Sequence, residues 1–185
     1  DIETYQPEKI MRIASKIISS QEKTWVNGDN IERKTQLVWG IKESAYKKAE
    51  NWAKELLGED MELDFDMMIN KAPNTNTPTP WHQDAAYWIV MPDKRAASCW
   101  IALDEVFEDN GCMWFIPKKA NQEIASHTAL PNGGALFCEI NTDKAKSIPL
   151  KMGGCTIHDG FTFHYSKGNT TEHNRRALIL NFRPR

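Results

Sequence analysis

Apolar positions change their period once along this chain. From Pro7 onward, Ile10, Ile13, Ala14, Ile17 and Ile18 recur at helical spacing, which predicts an amphipathic helix that breaks over residues 24–28. A second helix is predicted from Glu43 to Leu57, with Ala45, Ala49, Trp52, Ala53, Leu56 and Leu57 on one face and Gly58 as its stop. Beyond Gly58 the period drops to two. Met61, Leu63, Phe65, Met67 and Ile69 alternate with Glu62, Asp64, Asp66, Met68 and Asn70, as in a strand. The stretch "KAPNTNTPTP", residues 71–80, is too rich in Pro and Asn for the interior of either element and reads as a loop. Strands are predicted again over residues 96–103, 112–116, 134–140, 153–158 and 175–183, parted by Gly, Pro and Asn. Many short strands between turn signals indicate a sandwich or small barrel. The expected architecture is therefore mostly β with N-terminal helices: a helical front over residues 1–58 and a β core over 59–185, in one domain.

Composition narrows the class without naming a function. A chain of 185 residues, 41% hydrophobic and 26% charged, is long enough for one sizeable core. The formal net charge of −2 offers no basic surface for nucleic acid. The longest apolar runs, such as Ala177 to Leu180, are too short to span a bilayer as a helix. Cys99, Cys112, Cys138 and Cys155 form no Cys-x-x-Cys pair and lie in apolar stretches, which reads as reduced core thiols in a cytoplasmic setting. The chain opens on Asp1 rather than Met, so the missing signal-peptide pattern carries little weight.

The chemistry-bearing residues cluster in two places. In "TPWHQDAAYW", His82 and Asp84 sit one residue apart at a loop-to-strand boundary. In "IHDGFTFHYSKGN", His164 falls at a probable strand end before a Gly/Asn turn. Strand ends gather at the mouth of a barrel, so two imidazoles and a carboxylate can converge there, as in the facial triad of non-haem iron(II) oxygenases. Arg175 stands eleven residues after His164 and Ser166 two residues after it. Period two puts Arg175, Ala177, Ile179 and Asn181 on one strand face and Arg176, Leu178, Leu180 and Phe182 on the other. An arginine beside such a site suits the far carboxylate of a 2-oxoglutarate co-substrate, and a hydroxyl can add a hydrogen bond.

"WHQD", "CWIALDEVFEDNGCMWFIP" and "HDGFTFHYSKGNTTEHNRRALILNF" together resemble the phytanoyl-CoA dioxygenase family of iron(II)/2-oxoglutarate oxygenases, over residues 67–182. The resemblance implies a double-stranded β-helix, a jelly-roll or cupin-like core. It implies iron(II) held by His82, Asp84 and His164, with 2-oxoglutarate and dioxygen as co-substrates. Arg175 and Ser166 match its contacts to the far carboxylate of 2-oxoglutarate, and Trp100 and Met67 match further co-substrate contacts. His158 is placed beside the second histidine ligand, either orienting it or packing as a structural histidine. The reaction implied is hydroxylation of an unactivated carbon of a small molecule, with 2-oxoglutarate converted to succinate and CO2. Desaturation or cyclisation stays open, and the carboxylate at Asp84 argues against halogenation.

The substrate is not legible. Trp81, Tyr87, Trp88 and Phe161 are candidates to line or shield the site. The family's Gly-Ser-His turn is replaced here by "IPKKAN". Lys118 and Lys119 there, with Lys94 and Arg95 in the other variable loop, suggest an acidic substrate. Two other classes compete: a metal-binding cupin-like hydrolase or isomerase, and a silent binding module. The first has no need for Arg175 and Ser166 at their spacing from His164, and the second should have lost a ligand, whereas all three are present.

Overall fold

The computed structural model describes residues 45–88, 90–119, 121–131 and 135–185. The helix expected from Pro7 lies outside the described residues. Residues 45–57 form the helix α1, as the 3.6-residue period requires. Its Ala45, Ala49 and Ala53 are buried and pack with Trp52 and Leu57 against the sheet below. Leu56, on the same face near the helix end, is 63% exposed because it lines an open cleft there instead of packing on the sheet.

Among the described residues ten strands follow: β1 Met61–Lys71, β2 Thr79–His82, β3 Ala97–Ala102, β4 Met113–Phe115, β5 Thr128–Ala129, β6 Leu136–Phe137, β7 Lys146–Ile148, β8 Cys155–Asp159, β9 His164–Ser166 and β10 Arg175–Pro184. They form two four-stranded antiparallel sheets, ordered β1-β10-β3-β8 and β2-β9-β4-β7, with β5-β6 as a small hairpin. β1 to β4 and β7 to β10 each alternate between the two large sheets, and the β5-β6 hairpin links β4 to β7 within the second, which is the winding of a double-stranded β-helix and the expected fold.

Two cores flank the first sheet. On its outer face, Met61, Cys99, Ile101, Leu178, Leu180 and Phe182 meet α1. On its inner face, Trp100, Ala102, Ala177 and Ile179 meet Val106, Cys112 and Met113. β3 and β10 are buried on both faces, so burial alone does not reveal which side chains point inward; register does.

Three expectations change. The alternation read along β1 is cut by a bulge between Leu63 and Phe65. Met61, Leu63 and Met68 therefore serve the outer core, while Phe65, Met67 and Ile69 face the interior. Thr79 and Pro80, read as loop, belong to β2, an edge strand, where a proline costs no ladder hydrogen bond. Lys71, also read as loop, closes β1. All four cysteines are free thiols. No helix among the described residues is long and apolar enough to cross a membrane.

Candidate functional site

The second sheet pairs β2 and β9 in antiparallel register, His82 opposite His164 and Thr79 opposite Ser166. Gln83 then leaves the strand, and Asp84 opens a short 3-10 helix, Asp84–Tyr87, which turns its carboxylate back toward both rings. The His82, Asp84 and His164 ligand atoms all lie within 4.8 Å of one another. Asp84 Oδ1 is 3.5 Å from His82 Nε2 and 3.4 Å from His164 Nε2.

The protein sets the tautomers of both histidines. His82 Nδ1 lies 2.8 Å from the Pro80 carbonyl and His164 Nδ1 lies 2.9 Å from the Thr162 carbonyl. A carbonyl only accepts, so each Nδ1 carries the proton and each Nε2 keeps its lone pair for the centre. Burial by itself would raise the Asp84 carboxyl. When the facing His164, His158 and His82 rings carry a proton at Nε2 they outweigh it and hold the group well below the usual carboxylate range, and a cation bound between the rings acts in the same sense. Two neutral imidazole nitrogens and one carboxylate oxygen, converging with no further protein donor required, suit iron(II) in an octahedral site with open positions.

A cavity of about 130 Å³ adjoins the three groups; its lining includes Met67, Trp100, Ser166 and Arg175. Arg175 is 1% exposed, and its Nε and Nη1 have no hydrogen-bond partner. Its guanidinium carbon sits 5.3 Å from the Trp100 ring centroid. Burial pushes the Arg175 pKa down to about 10. Arg176, its sequence neighbour, faces outward and grips Asp104 with two nitrogens, Nε at 2.9 Å and Nη2 at 2.7 Å. The β10 alternation thus separates a buried, unpaired arginine from a paired one. Opposite Arg175 across β1, Lys71 is buried with its amine on the Thr77 carbonyl at 2.8 Å; burial first, and then the charge of Arg175, push its pKa down to about 8.

The aromatic candidates divide. The Tyr87 ring meets His82 edge-on at 5.9 Å, and its hydroxyl accepts the Leu136 amide. Trp81 stacks on Tyr165, which lines the cavity, and Trp88 packs against Arg183; neither tryptophan is itself in the cavity lining. The Phe161 ring lies 6.0 Å from Lys118 Nζ, and its carbonyl accepts from Gln83. Lys118 pairs with Asp159, Arg95 with Asp60 and Asp93, and Lys94 donates to the Trp88 carbonyl. Lys119 is exposed.

Several residues of the site escaped the sequence. Gln83, between the two metal-facing residues, is fully buried. Its carboxamide donates to the Glu123 and Phe161 carbonyls and accepts the Ala125 amide, and its own amide donates to His127 Nε2. Ser98 and Asn181 line up behind Asp84, and Thr79 joins the cavity wall. The one available signal was strand parity: Ser98 shares a face with Trp100, and Asn181 shares one with Arg175.

Comparison with known proteins agrees with this geometry. A zebrafish (Danio rerio) protein, phytanoyl-CoA dioxygenase domain-containing protein 1, is 29% identical over 122 residues, 62% of this chain and 42% of the relative. A probable alpha-ketoglutarate-dependent hypophosphite dioxygenase of Stutzerimonas stutzeri is 27% identical, covering 98% of this chain and 63% of its own. The chain thus spans less than two thirds of the length of these curated relatives. Among solved structures, EvdO2 from Micromonospora carbonacea var. aurantiaca, complexed with 2-oxoglutarate, superposes with a TM-score of 0.72 at 30% identity, over 81% of this chain and 64% of that one. EctD from S. alaskensis, with 2-oxoglutarate and 5-hydroxyectoine, gives 0.72 at 19% identity, covering 95% and 68%, and so shares the fold. The family model for phytanoyl-CoA dioxygenase (PhyH) matches residues 6–177, nearly the whole sequence, and the chain belongs to that family.

Proposed function

We propose that this chain is an iron(II)- and 2-oxoglutarate-dependent oxygenase that hydroxylates a carbon of a small molecule. One observation carries the reading: a cavity that holds two imidazole nitrogens and a carboxylate within 4.8 Å also holds a buried arginine without a partner. A zinc hydrolase or a silent barrel has no use for that arginine. His82, Asp84 and His164 hold the metal. Arg175 and Ser166 take the far carboxylate of 2-oxoglutarate, with Trp100 and Met67 at its sides. Ser166 lies two residues along β9 from His164, about 7 Å, a span suited to a keto acid chelated at one end and gripped at the other.

Bound iron with 2-oxoglutarate supplies the activation of dioxygen, coupled to decarboxylation of the keto acid to succinate and CO2. The chain supplies position. His82 and His164 present Nε2 in fixed orientation, Asp84 neutralises part of the metal's charge, and Arg175 prevents the keto acid from sliding. The apolar side chains of Phe65, Ile69, Met113 and Ile179 keep bulk water out of the cavity.

For the substrate, we propose a largely apolar molecule. A wider cleft of about 590 Å³, lined by Phe115, Ile116, Pro117, Ile148 and Ile157, shares His158 with the metal cavity. An acidic group on the substrate draws support from Lys119, whereas Lys118 and Arg95 are paired with carboxylates. A reducing, cytoplasmic setting fits the four free thiols.

The test is anaerobic addition of iron(II) and 2-oxoglutarate, watching for the weak visible charge-transfer band of a chelated keto acid, followed by aerobic succinate release. Asp84→Ala should lose both. Absence of the band in the unaltered chain, or succinate release that survives Asp84→Ala, would overturn the reading.

A further inference from the structure

The two oxygens of Asp84 have different surroundings. Oδ1 faces both metal-facing imidazoles, at 3.5 and 3.4 Å. Oδ2 faces away and lies 2.8 Å from Ser98 Oγ. His158 Nε2 is 3.6 Å from the same oxygen, too far for a hydrogen bond, so Ser98 does the holding. Behind Ser98 stands Asn181, its Nδ2 2.8 Å from the same hydroxyl oxygen. Ser98 and Asn181 are partners across the β3–β10 ladder, and both are buried, at 3% and 1% exposure.

Chemistry decides the direction of this chain. An ionised carboxylate only accepts, so the single proton of the Ser98 hydroxyl goes to Asp84 Oδ2. The serine oxygen is then left as acceptor, and the group that faces it must be the Asn181 NH2. An asparagine turned the other way would compete for the same proton. The two residues therefore form a one-way relay across the sheet that ends on the outer oxygen of the carboxylate.

We propose that Ser98 and Asn181 are positioning residues that hold Asp84 to a single oxygen, Oδ1, toward the metal. This rests on the iron reading above. Bound iron would take three protein donors and a two-atom keto acid chelate. A carboxylate free to offer both oxygens would also take the position that dioxygen needs. Holding Oδ2 on the serine hydroxyl keeps that position open, and it fixes the direction of the Oδ1 lone pair. Ser98 also lines the cavity, but in this role it and Asn181 act through Asp84.

The experiment uses the full chain and cobalt(II) in place of iron(II), without 2-oxoglutarate, so that the readout is metal affinity and the visible cobalt spectrum rather than turnover. Ser98→Ala should weaken cobalt binding about ten- to hundredfold, the range for losing a partner of a metal ligand. It should also change the band intensity, which reports coordination number. Asn181→Leu should cost a few-fold, since the hydroxyl keeps its proton but is free to turn. Ser98→Thr against Ser98→Val holds shape constant and removes only the hydroxyl, and this pair decides the matter if Ser98→Ala does not fold. Thr is expected to keep the unaltered spectrum and Val to lose it. Equal affinity and spectra for Thr and Val, or an unaltered spectrum in a folded Ser98→Ala, would overturn the relay. Failure of the unaltered chain to take up stoichiometric cobalt(II) or iron(II) would bring down the metal reading itself, and the relay with it.

Discussion

Replacing Arg175 by Met should separate ligand binding from stability in a way few buried substitutions do. Arg175 is 1% exposed and its Nε and Nη1 are unpaired. Burial has moved its pKa down to about 10, and such a drop corresponds to roughly 3 kcal/mol of unfavourable charge burial in the anion-free protein, at about 1.4 kcal/mol per pH unit. Methionine removes that charge and keeps most of the contact with Trp100. The anion-free variant should therefore melt no lower than the parent. Loss of a buried, bidentate partner costs about 2–5 kcal/mol in binding, so the 2-oxoglutarate Kd should rise by about thirtyfold to several thousandfold. Arg176→Met should do the reverse. It removes the two-nitrogen grip on half-buried Asp104, worth about 1 kcal/mol or roughly 2–4 °C in Tm, and leaves 2-oxoglutarate affinity alone. The assay is anaerobic 2-oxoglutarate titration of the iron(II) form by its visible band, paired with thermal melts of the metal-free proteins. Unchanged affinity in Arg175→Met, or the opposite ranking of the two arginines, would refute the assignment of an anion subsite.

Lys71, with its pKa lowered to about 8, binds fewer protons folded than unfolded between about pH 8 and 10.4, so it makes stability rise with pH through that window. The Cys112 and Cys138 thiols, raised to about 11 by burial, act in the opposite sense from about pH 9 upward, so urea midpoints at pH 8 and 9 are the measurement. Lys71→Met should flatten the rise, and a variant with the parent's slope would contradict it. Gln83→Leu strips partners from the Glu123 and Phe161 carbonyls and the Ala125 amide. The three partners are at most partly buried, so at about 0.5–1.5 kcal/mol per hydrogen bond it should lose about 2–4 kcal/mol of stability. Faster hydrogen exchange at the Ala125 amide is the specific sign.

Much of the site was legible because it is written locally. His82-x-Asp84 needs only a strand end followed by a turn, and the β10 alternation puts Arg175 and Arg176 on opposite faces, while the spacing from His164 that matches the family picks Arg175. What stayed hidden depended on breaks in local periodicity. A strict period of two along residues 61–69 puts Met61 and Met67 on one face, but the bulge after Leu63 reverses the strand there. Met61 ends in the outer core and Met67 in the cavity wall. Proline in residues 71–80 argued for a loop, yet β2 uses Pro80 at a sheet edge, where no ladder partner is lost. The cations in the variable loops looked available for an anionic substrate. Lys118 and Arg95 instead meet carboxylates from Asp159, Asp60 and Asp93, two of them more than thirty residues away in sequence.

The sequence by itself determined the run of strands and the amphipathic helix before them, because each depends on the period of a single element, and its motifs singled out His82, Asp84, His164 and Arg175 as candidates through their resemblance to the family. Only the tertiary structure decided how the triad is held. The Ser98–Asn181 relay crosses between β3 and β10, residues 83 apart in sequence. The Gln83 clasp reaches 40 residues forward to Glu123 and 78 to Phe161. A buried hydroxyl or carboxamide carries no periodic signal of its own. Its partner is chosen by the register in which distant strands pair, and that register follows from closing two sheets over a shared core.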